Sequence, residues 1–129
     1  MKQTFLKAKL HRVNVTQVEL DYEGSCAVDS NFLEASGMSE YEKVDIYNVT
    51  NGERFSTYLI LAEKNSRTIS VNGAAAHKVS MNDVLIICSY ASLDSKEVAL
   101  HKPTLVYFDK YNNITDIKNS ISEQKLHSV

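Results

Sequence analysis

An Asn-Gly pair stands between two apolar, β-prone segments in the middle of this chain. Asn51-Gly52 follows residues 44–49 and precedes residues 54–61. Asn and Gly accept the positive φ angles of tight turns, and Asn-Gly between alternating apolar residues is the strongest short-range hairpin signal. The sequence therefore predicts an antiparallel hairpin here, which limits the chain to folds that contain a β-sheet.

Further β-prone segments lie on both sides of this hairpin. Val, Ile and Thr, which favour strands, number 27. Strands are predicted at residues 10–16, 18–22, 68–71, 84–90 and 105–108. Residues 84–90 are almost continuously apolar, which is typical of a strand buried on both faces. Many short strands favour a mainly β fold, either a small barrel or a sandwich.

Helical signals are few. Asp29 and Ser30 can cap a short helix over residues 31–36, and Gly37 suits the residue that ends it. The tail, residues 116–129, is polar with scattered apolar positions and predicts a short helix or a frayed end. The length of 129 residues suits one domain covering residues 1–129.

Charge and composition exclude several classes of protein. The 14 basic and 16 acidic residues give a net charge of −2, so no basic surface for nucleic acid is expected. No apolar run approaches the ~20 residues of a membrane span. The N-terminal residues lack the apolar stretch of a signal peptide. We expect a cytoplasmic protein without a membrane or nucleic-acid partner.

Cysteine and histidine are sparse and scattered. Cys26 and Cys88 form no C-x-x-C pair, and the four His residues show no metal-ligand spacing. No metal site is therefore predicted. We expect both cysteines to be free, buried thiols.

Four sequence blocks carry a resemblance to a known family. They are residues 9–13 (KLHRV), 22–26 (YEGSC), 48–58 (NVTNGERFSTY) and 70–77 (SVNGAAAH). In order and spacing they resemble the aspartate 1-decarboxylase family, pyruvoyl-dependent enzymes that make β-alanine. The blocks extend over most of residues 1–108. Ordered blocks over such a length are far more specific than an isolated Gly-Ser pair.

The resemblance implies that the chain makes its own electron sink. Decarboxylation of an α-amino acid leaves electrons at Cα that no ordinary side chain accepts. Ser25 would attack the Gly24 carbonyl, and an N-to-O acyl shift, β-elimination and hydrolysis would turn Ser25 into a pyruvoyl group. The precursor would become two chains, residues 1–24 and 25–129. The ketone would form a Schiff base with L-aspartate, and β-alanine would supply pantothenate and coenzyme A synthesis.

The same resemblance implies roles for further residues. Tyr58 would donate the proton to Cα, and Thr57 would assist cleavage and contact substrate. Arg54 is the best candidate to bind a carboxylate, since a guanidinium matches its two oxygens. Lys9 is a second cationic candidate. The remaining substrate-binding positions implied are Asn72, Gly73, Ala74 and Ala75.

The architecture implied by the resemblance is a small six-stranded double-psi β-barrel with short helices, assembled as a homotetramer. Strand alternation puts Arg54 and Tyr58 on one face and Thr57 on the other. Either a β-bulge redirects a side chain, or the site lies where two subunits meet. The need for a maturation factor stays open.

Two other functions also stay open. The chain is either a pyruvoyl enzyme for a different amino acid or a non-catalytic β-barrel that serves for binding or oligomerisation. In the second case Ser25 is an ordinary turn serine, Tyr58 a strand residue with a buried ring, and Arg54 a solvated hairpin charge.

Overall fold

Strands make up most of the fold. The computed structural model describes residues 1–126. Within that range the strands are β1 (Gln3–Asn14), β2 (Gln17–Glu19), β3 (Ser25–Asp29), β4 (Lys43–Asn48), β5 (Arg54–Ala62), β6 (Ile69–Asn72), β7 (Val84–Leu93), β8 (Thr104–Phe108) and β9 (Ile114–Lys118). Two helices, α1 (Ser30–Ser36) and α2 (Ser95–Leu100), and a 3-10 turn (Gly73–Lys78) complete it. The mainly β class with short helices is confirmed, with nine strands in this range where six were expected.

The strands form one hydrogen-bonded sheet in the order β2-β6-β3-β5-β4-β7-β1-β8-β9. A row of register partners shows how the core is built. Val106, Leu10, Ile87 and Ile46 follow one another across β8, β1, β7 and β4, and all four are buried. In these four strands, side chains on one face therefore contribute to the core, whereas β3 and β6 are buried along their whole length.

The predicted hairpin is present as β4 and β5. Their register runs from Lys43 opposite Tyr58 to Tyr47 opposite Arg54 without a shift. The connection is longer than a two-residue turn, since residues 49–53 join the strands. Gly52 adopts φ 81° and donates its N–H to the Asn48 carbonyl at 2.8 Å. This positive φ is the reason for glycine in the turn.

The predicted helix is α1, and its cap also fixes β3. The Asp29 carboxylate accepts a hydrogen bond from the Asn31 N–H at 2.8 Å. It also accepts from the backbone N–H groups of Asn65 and Arg67 at 3.0 and 2.7 Å. Gly37 ends the helix with φ 77°. One buried carboxylate therefore joins the end of β3, the start of α1 and the 65–67 loop.

Some predicted boundaries were wrong. The strand expected at 18–22 is limited to β2, because the Tyr22 N–H turns back to the Glu19 carbonyl at 3.3 Å. The expected burial of residues 84–90 on both faces fails at Tyr90, which is 39% exposed. Both cysteines are buried and free, as predicted.

Four elements were missed. Strand β3 is short and contains Ser and Asp, so its pairing with β5 and β6 rather than its propensity forms it. Helix α2 begins with a capping box between Asp94 and Glu97. The 3-10 turn follows the positive φ of Gly73. In the tail, residues 116–118 pair with β8 in β9, so the short helix is wrong there. Residues 119–126 have no regular structure, and 127–129 lie outside the described residues.

Candidate active site

The backbone of Gly24 lies against the first residue of the 3-10 turn. A Cβ at Gly73 would come within 2.6 Å of the Gly24 Cα and 3.0 Å of its N. A Cβ at Gly24 would meet nothing within 4 Å, so the close approach requires glycine at 73 only. Gly73 also has φ 72°, which favours glycine. The expected substrate loop therefore touches the expected cleavage position.

The Ser25 hydroxyl is fully buried and has two hydrogen-bond partners. Ser25 Oγ donates to the Glu23 carbonyl at 2.8 Å and accepts from Asn72 Nδ2 at 3.1 Å. Ser25 and Asn72 are also register partners between β3 and β6. The Ser70 hydroxyl donates to Asn72 Oδ1 at 2.7 Å and so orients the Asn72 amide. The Ser25 hydroxyl is thus held by a neighbouring strand, unlike that of an ordinary turn serine.

Strand β5 brings Tyr58 and Thr57 beside β3. Cys26 is the register partner of Leu59, so Ser25 and Tyr58, each one residue earlier, lie at the same end of this strand pair. Tyr58 is 38% exposed, whereas Thr57 is half-buried opposite the buried Val44. Because the β4–β5 register has no shift, the bulge proposed to redirect one side chain is wrong. Tyr58 and Thr57 point to opposite faces.

Arg54 lies at the start of β5 and is supported by an aromatic ring. Its Cζ is 4.2 Å from the centroid of Tyr47, the residue opposite it in the hairpin. The Tyr47 hydroxyl lies 2.6 Å from the Tyr90 hydroxyl. Arg54 is exposed and on the same face as Tyr58. A single chain therefore presents both side chains outward.

Lys9 lies on another part of the sheet. It is the register partner of Cys88 on β7 and of Leu105 on β8. Strand β1 is three places from β5 in the sheet, and neighbouring strands are about 4.8 Å apart, which separates them by about 14 Å. The Lys9 Nζ lies 5.8 Å from the Tyr107 ring centroid. Lys9 and Arg54 therefore belong to separate parts of the outer surface.

The small residues at the start of the 3-10 turn differ in their exposure to solvent. Gly73 is buried, Ala74 is exposed and Ala75 is half-buried. Beside the turn, a surface cleft is lined by Glu19, Tyr22, Ala27, Ile60, Ser70 and Asn72 among others. Asn72 thus faces both the Ser25 hydroxyl and this cleft, which is large enough to admit a small molecule.

Three residues of this region were missed from sequence. Ser70 is two residues before Asn72 on one strand face, so alternation could have identified it. Tyr47 could have been found by counting back from Arg54 across the predicted hairpin. Nothing in the local sequence pairs Tyr90 with Tyr47, since that contact depends on how β7 docks against β4.

The neighbouring cysteine is not suited to nucleophilic chemistry. Burial raises the pKa of the Cys26 thiol to about 12, so it stays protonated at neutral pH. The reactive form of cysteine is the thiolate. In residues 1–126 no three His, Cys, Asp or Glu side chains cluster as a metal site would require. No helix in that range has the length and apolarity to cross a membrane.

Comparison with known proteins identifies the family. The family model described as aspartate decarboxylase matches residues 1–115. The chain belongs to the aspartate decarboxylase family. This confirms the resemblance carried by the four sequence blocks, and with it the prediction of an enzyme of the aspartate 1-decarboxylase class.

Individual relatives of the aspartate decarboxylase family match over nearly the full length. The aspartate 1-decarboxylase of Hydrogenovibrio crunogenus is 59% identical over 124 residues, 96% of each chain. That of Methylobacillus flagellatus is 58% identical over 124 residues, 96% of this chain and 98% of its own. Among solved structures, the rationally designed protein mkDPBB_sym_86 matches 60% of this chain and 90% of its own, with a TM-score of 0.46 and 14% identity. At that TM-score the similarity adds nothing to the assignment.

Proposed function

We propose that this chain cleaves itself at Gly24-Ser25 and then decarboxylates L-aspartate to β-alanine and CO2, supplying pantothenate and coenzyme A synthesis. One observation carries this proposal. The Ser25 hydroxyl is buried and held between the Glu23 carbonyl and the Asn72 amide, next to the contact of Gly24 with the Gly73 loop. A hydroxyl held in a fixed position reacts with a neighbouring group more readily than a freely rotating one.

The chain's own residues account for the cleavage step. Ser25 Oγ would attack the Gly24 carbonyl carbon, and the Gly24-Ser25 amide would become an ester. Asn72 donates to the same oxygen and so restricts where it points. Thr57 would assist, as in the family pattern. Elimination then breaks the ester and separates residues 1–24 from residues 25–129, which number 129 − 24 = 105.

The site fits the pyruvoyl group expected of the family. That group would be residue 25 itself, and when formed it supplies a ketone that accepts electrons from the decarboxylating substrate. Ser25 is fully buried at its point of entry into β3. The two hydrogen-bond partners of its hydroxyl, the Glu23 carbonyl and the Asn72 amide, are both uncharged. Burial would shield a reactive ketone from water.

Substrate recognition would use charge and the loop. Arg54 would bind one carboxylate of aspartate, and Lys9 would add positive charge for a dianionic substrate. Asn72, Gly73, Ala74 and Ala75 would contact the substrate, since small side chains let backbone N–H groups approach it. Tyr58 would donate the proton to Cα through its phenol hydroxyl, since a positioned tyrosine can serve as a general acid.

Assembly as a homotetramer would complete the site. Arg54 and Tyr58 face outward from one chain, and Thr57 faces inward. A second subunit covering the outer face would exclude water from Tyr58 and could bring its own Lys9 close. A maturation factor would act on the precursor if cleavage of the isolated chain is slow. Two free thiols are compatible with a reducing cytoplasm as its location.

Two substitutions separate the role of Ser25 in cleavage from the role of Tyr58 in decarboxylation. Ser25→Ala should remain one chain and lack activity, because neither cleavage nor the ketone can form. Tyr58→Phe should cleave normally but lose roughly 100-fold or more in kcat, the range for a general acid. Tyr111→Phe, at an exposed position in the connection between β8 and β9, is the matched control and should match wild type. Full activity of Tyr58→Phe with complete cleavage would contradict the proton-donor role.

A further inference from the structure

Two tyrosines meet on the outer face of the sheet. Tyr47 on β4 is opposite Ile86 on β7. Tyr90 lies four residues after Ile86, so its side chain is on the same face as that of Tyr47. The two hydroxyl oxygens are 2.6 Å apart, a short hydrogen bond. The tyrosine side chains thus extend toward each other over the register pair Asp45 and Cys88.

The ring of Tyr47 also contacts Arg54 on its other side. The Arg54 Cζ lies 4.2 Å from the ring centroid, within cation–π distance. Arg54, Tyr47 and Tyr90 therefore form a continuous series across the adjacent strands β5, β4 and β7. Tyr90 is at the far end of this series, where its hydroxyl is hydrogen-bonded to that of Tyr47.

Arg54 needs such support to bind a ligand well. It is exposed, and an unsupported arginine has many rotamers whose loss on binding costs entropy. Among residues 1–126 the ion pairs involve Lys7, Lys64 and Lys78, so Arg54 has no protein carboxylate to hold it. Its guanidinium is therefore available for a carboxylate from outside the chain, with the Tyr47 ring as its support.

We propose that Tyr47 and Tyr90 are positioning residues for carboxylate recognition. Their hydrogen bond fixes the Tyr47 ring, the ring fixes the Arg54 guanidinium, and the preset guanidinium binds the side-chain carboxylate of an acidic amino-acid substrate. This inference rests on the proposed function in one respect, the role of Arg54 as a carboxylate ligand.

The protonation of the Tyr90 hydroxyl supports its role in positioning Tyr47. Partial burial, followed by the hydrogen bond with Tyr47, raises the pKa of Tyr90 above its usual value. The hydroxyl therefore stays protonated at neutral pH, and the pair keeps the proton that its hydrogen bond needs.

The experiment compares steady-state kinetics of the processed enzyme with L-aspartate. Tyr90→Phe and Tyr47→Phe each remove one hydroxyl and keep the ring. Each should raise KM about two- to tenfold, the range for one net hydrogen bond, with kcat within about twofold. The double variant should be no worse than either single variant, because both remove the same bond. Tyr111→Phe, an exposed tyrosine outside this series, should leave KM unchanged.

Introducing Tyr90→Phe into an Arg54→Ala variant tests whether Tyr90 acts through Arg54. In Arg54→Ala, adding Tyr90→Phe should change kcat/KM by less than about 1.5-fold, because nothing remains to be positioned. If Arg54→Ala raises KM but Tyr90→Phe does not, the inference is overturned and the role of Arg54 survives. The inference is also overturned if Tyr90→Phe has the same effect with and without Arg54. If Arg54→Ala leaves KM unchanged, the carboxylate role and the inference fall together. Intact mass of every variant separates these results from incomplete cleavage.

Discussion

Gly73→Ala is the substitution for which the structure gives the clearest expectation. The added Cβ would lie 2.6 Å from the Gly24 Cα and 3.0 Å from the Gly24 N. Both are backbone atoms, so no flexible side chain can move aside. Carbon atoms in contact normally lie about 3.5–4.0 Å apart, so one of the two segments must move by about 1 Å.

The energetic cost has two parts. Alanine at φ 72° costs about 1–2 kcal/mol relative to glycine, because its Cβ crowds the backbone. The clash adds the cost of overpacking, about 1–3 kcal/mol. We therefore expect Gly73→Ala to lower the free energy of unfolding by about 2–5 kcal/mol. Displacing Gly24 should also move its carbonyl away from Ser25 Oγ and slow cleavage.

Gly52→Ala separates the two costs. Gly52 has φ 81°, but its added Cβ would meet nothing within 4 Å. It should therefore show the cost of the positive φ alone, about 1–2 kcal/mol, and cleave at the wild-type rate. Urea unfolding followed by circular dichroism gives the stabilities. It is best done in a Ser25→Ala background, where all chains stay uncleaved, and at one protein concentration.

Cleavage itself is followed by intact mass over time in the Gly73→Ala and Gly52→Ala variants that retain Ser25. If Gly73→Ala were no less stable than Gly52→Ala and cleaved at the wild-type rate, the close approach of Gly73 to Gly24 would matter for neither stability nor cleavage. Loss of stability without slower cleavage would make the contact structural only.

Two further expectations concern titratable groups. Burial raises the pKa of Cys26 from 9.0 to about 12, so its thiolate fraction at pH 8 falls about a thousandfold. Iodoacetamide should therefore modify Cys26 in urea but hardly in the native protein. Rapid labelling of the native protein would contradict the burial of Cys26. Burial, then Lys9 and Arg12, lowers the pKa of His11 below 6.5, so the unfolded chain binds the proton more readily and stability should fall as pH drops through 6.5. In a Ser25→Ala background, His11→Gln should reduce the difference between urea midpoints at pH 7.5 and 5.5, and an unchanged difference would exclude this contribution.

Local signals made the hairpin predictable. Asn51-Gly52 and the alternation around it give the β4–β5 pairing, and with it the shared face of Arg54 and Tyr58. The cap of α1 was equally local, because Asp29 and Gly37 are adjacent to the helix they bound. A capping box also marks α2 in the sequence, and this signal was overlooked.

Contacts between distant residues could not be predicted in the same way. The sequence blocks identified Ser25 and Asn72 separately, but 47 positions separate them, and only the docking of β3 on β6 forms their hydrogen bond. Strand β3 has no pattern of its own, since both faces are buried. The contact of Gly73 with Gly24 and the Tyr47–Tyr90 pair likewise depend on how strands meet.

The intact mass of the purified protein is the most direct test of self-cleavage at Gly24-Ser25. Two chains are expected. One has 24 residues and ends at Gly24. The other has 105 residues, and its first residue carries a ketone in place of the serine amine. Borohydride should add two hydrogens to the larger chain alone, by reducing that ketone. A single chain with the mass of all 129 residues after prolonged incubation, unreactive to borohydride and active on L-aspartate, would contradict it.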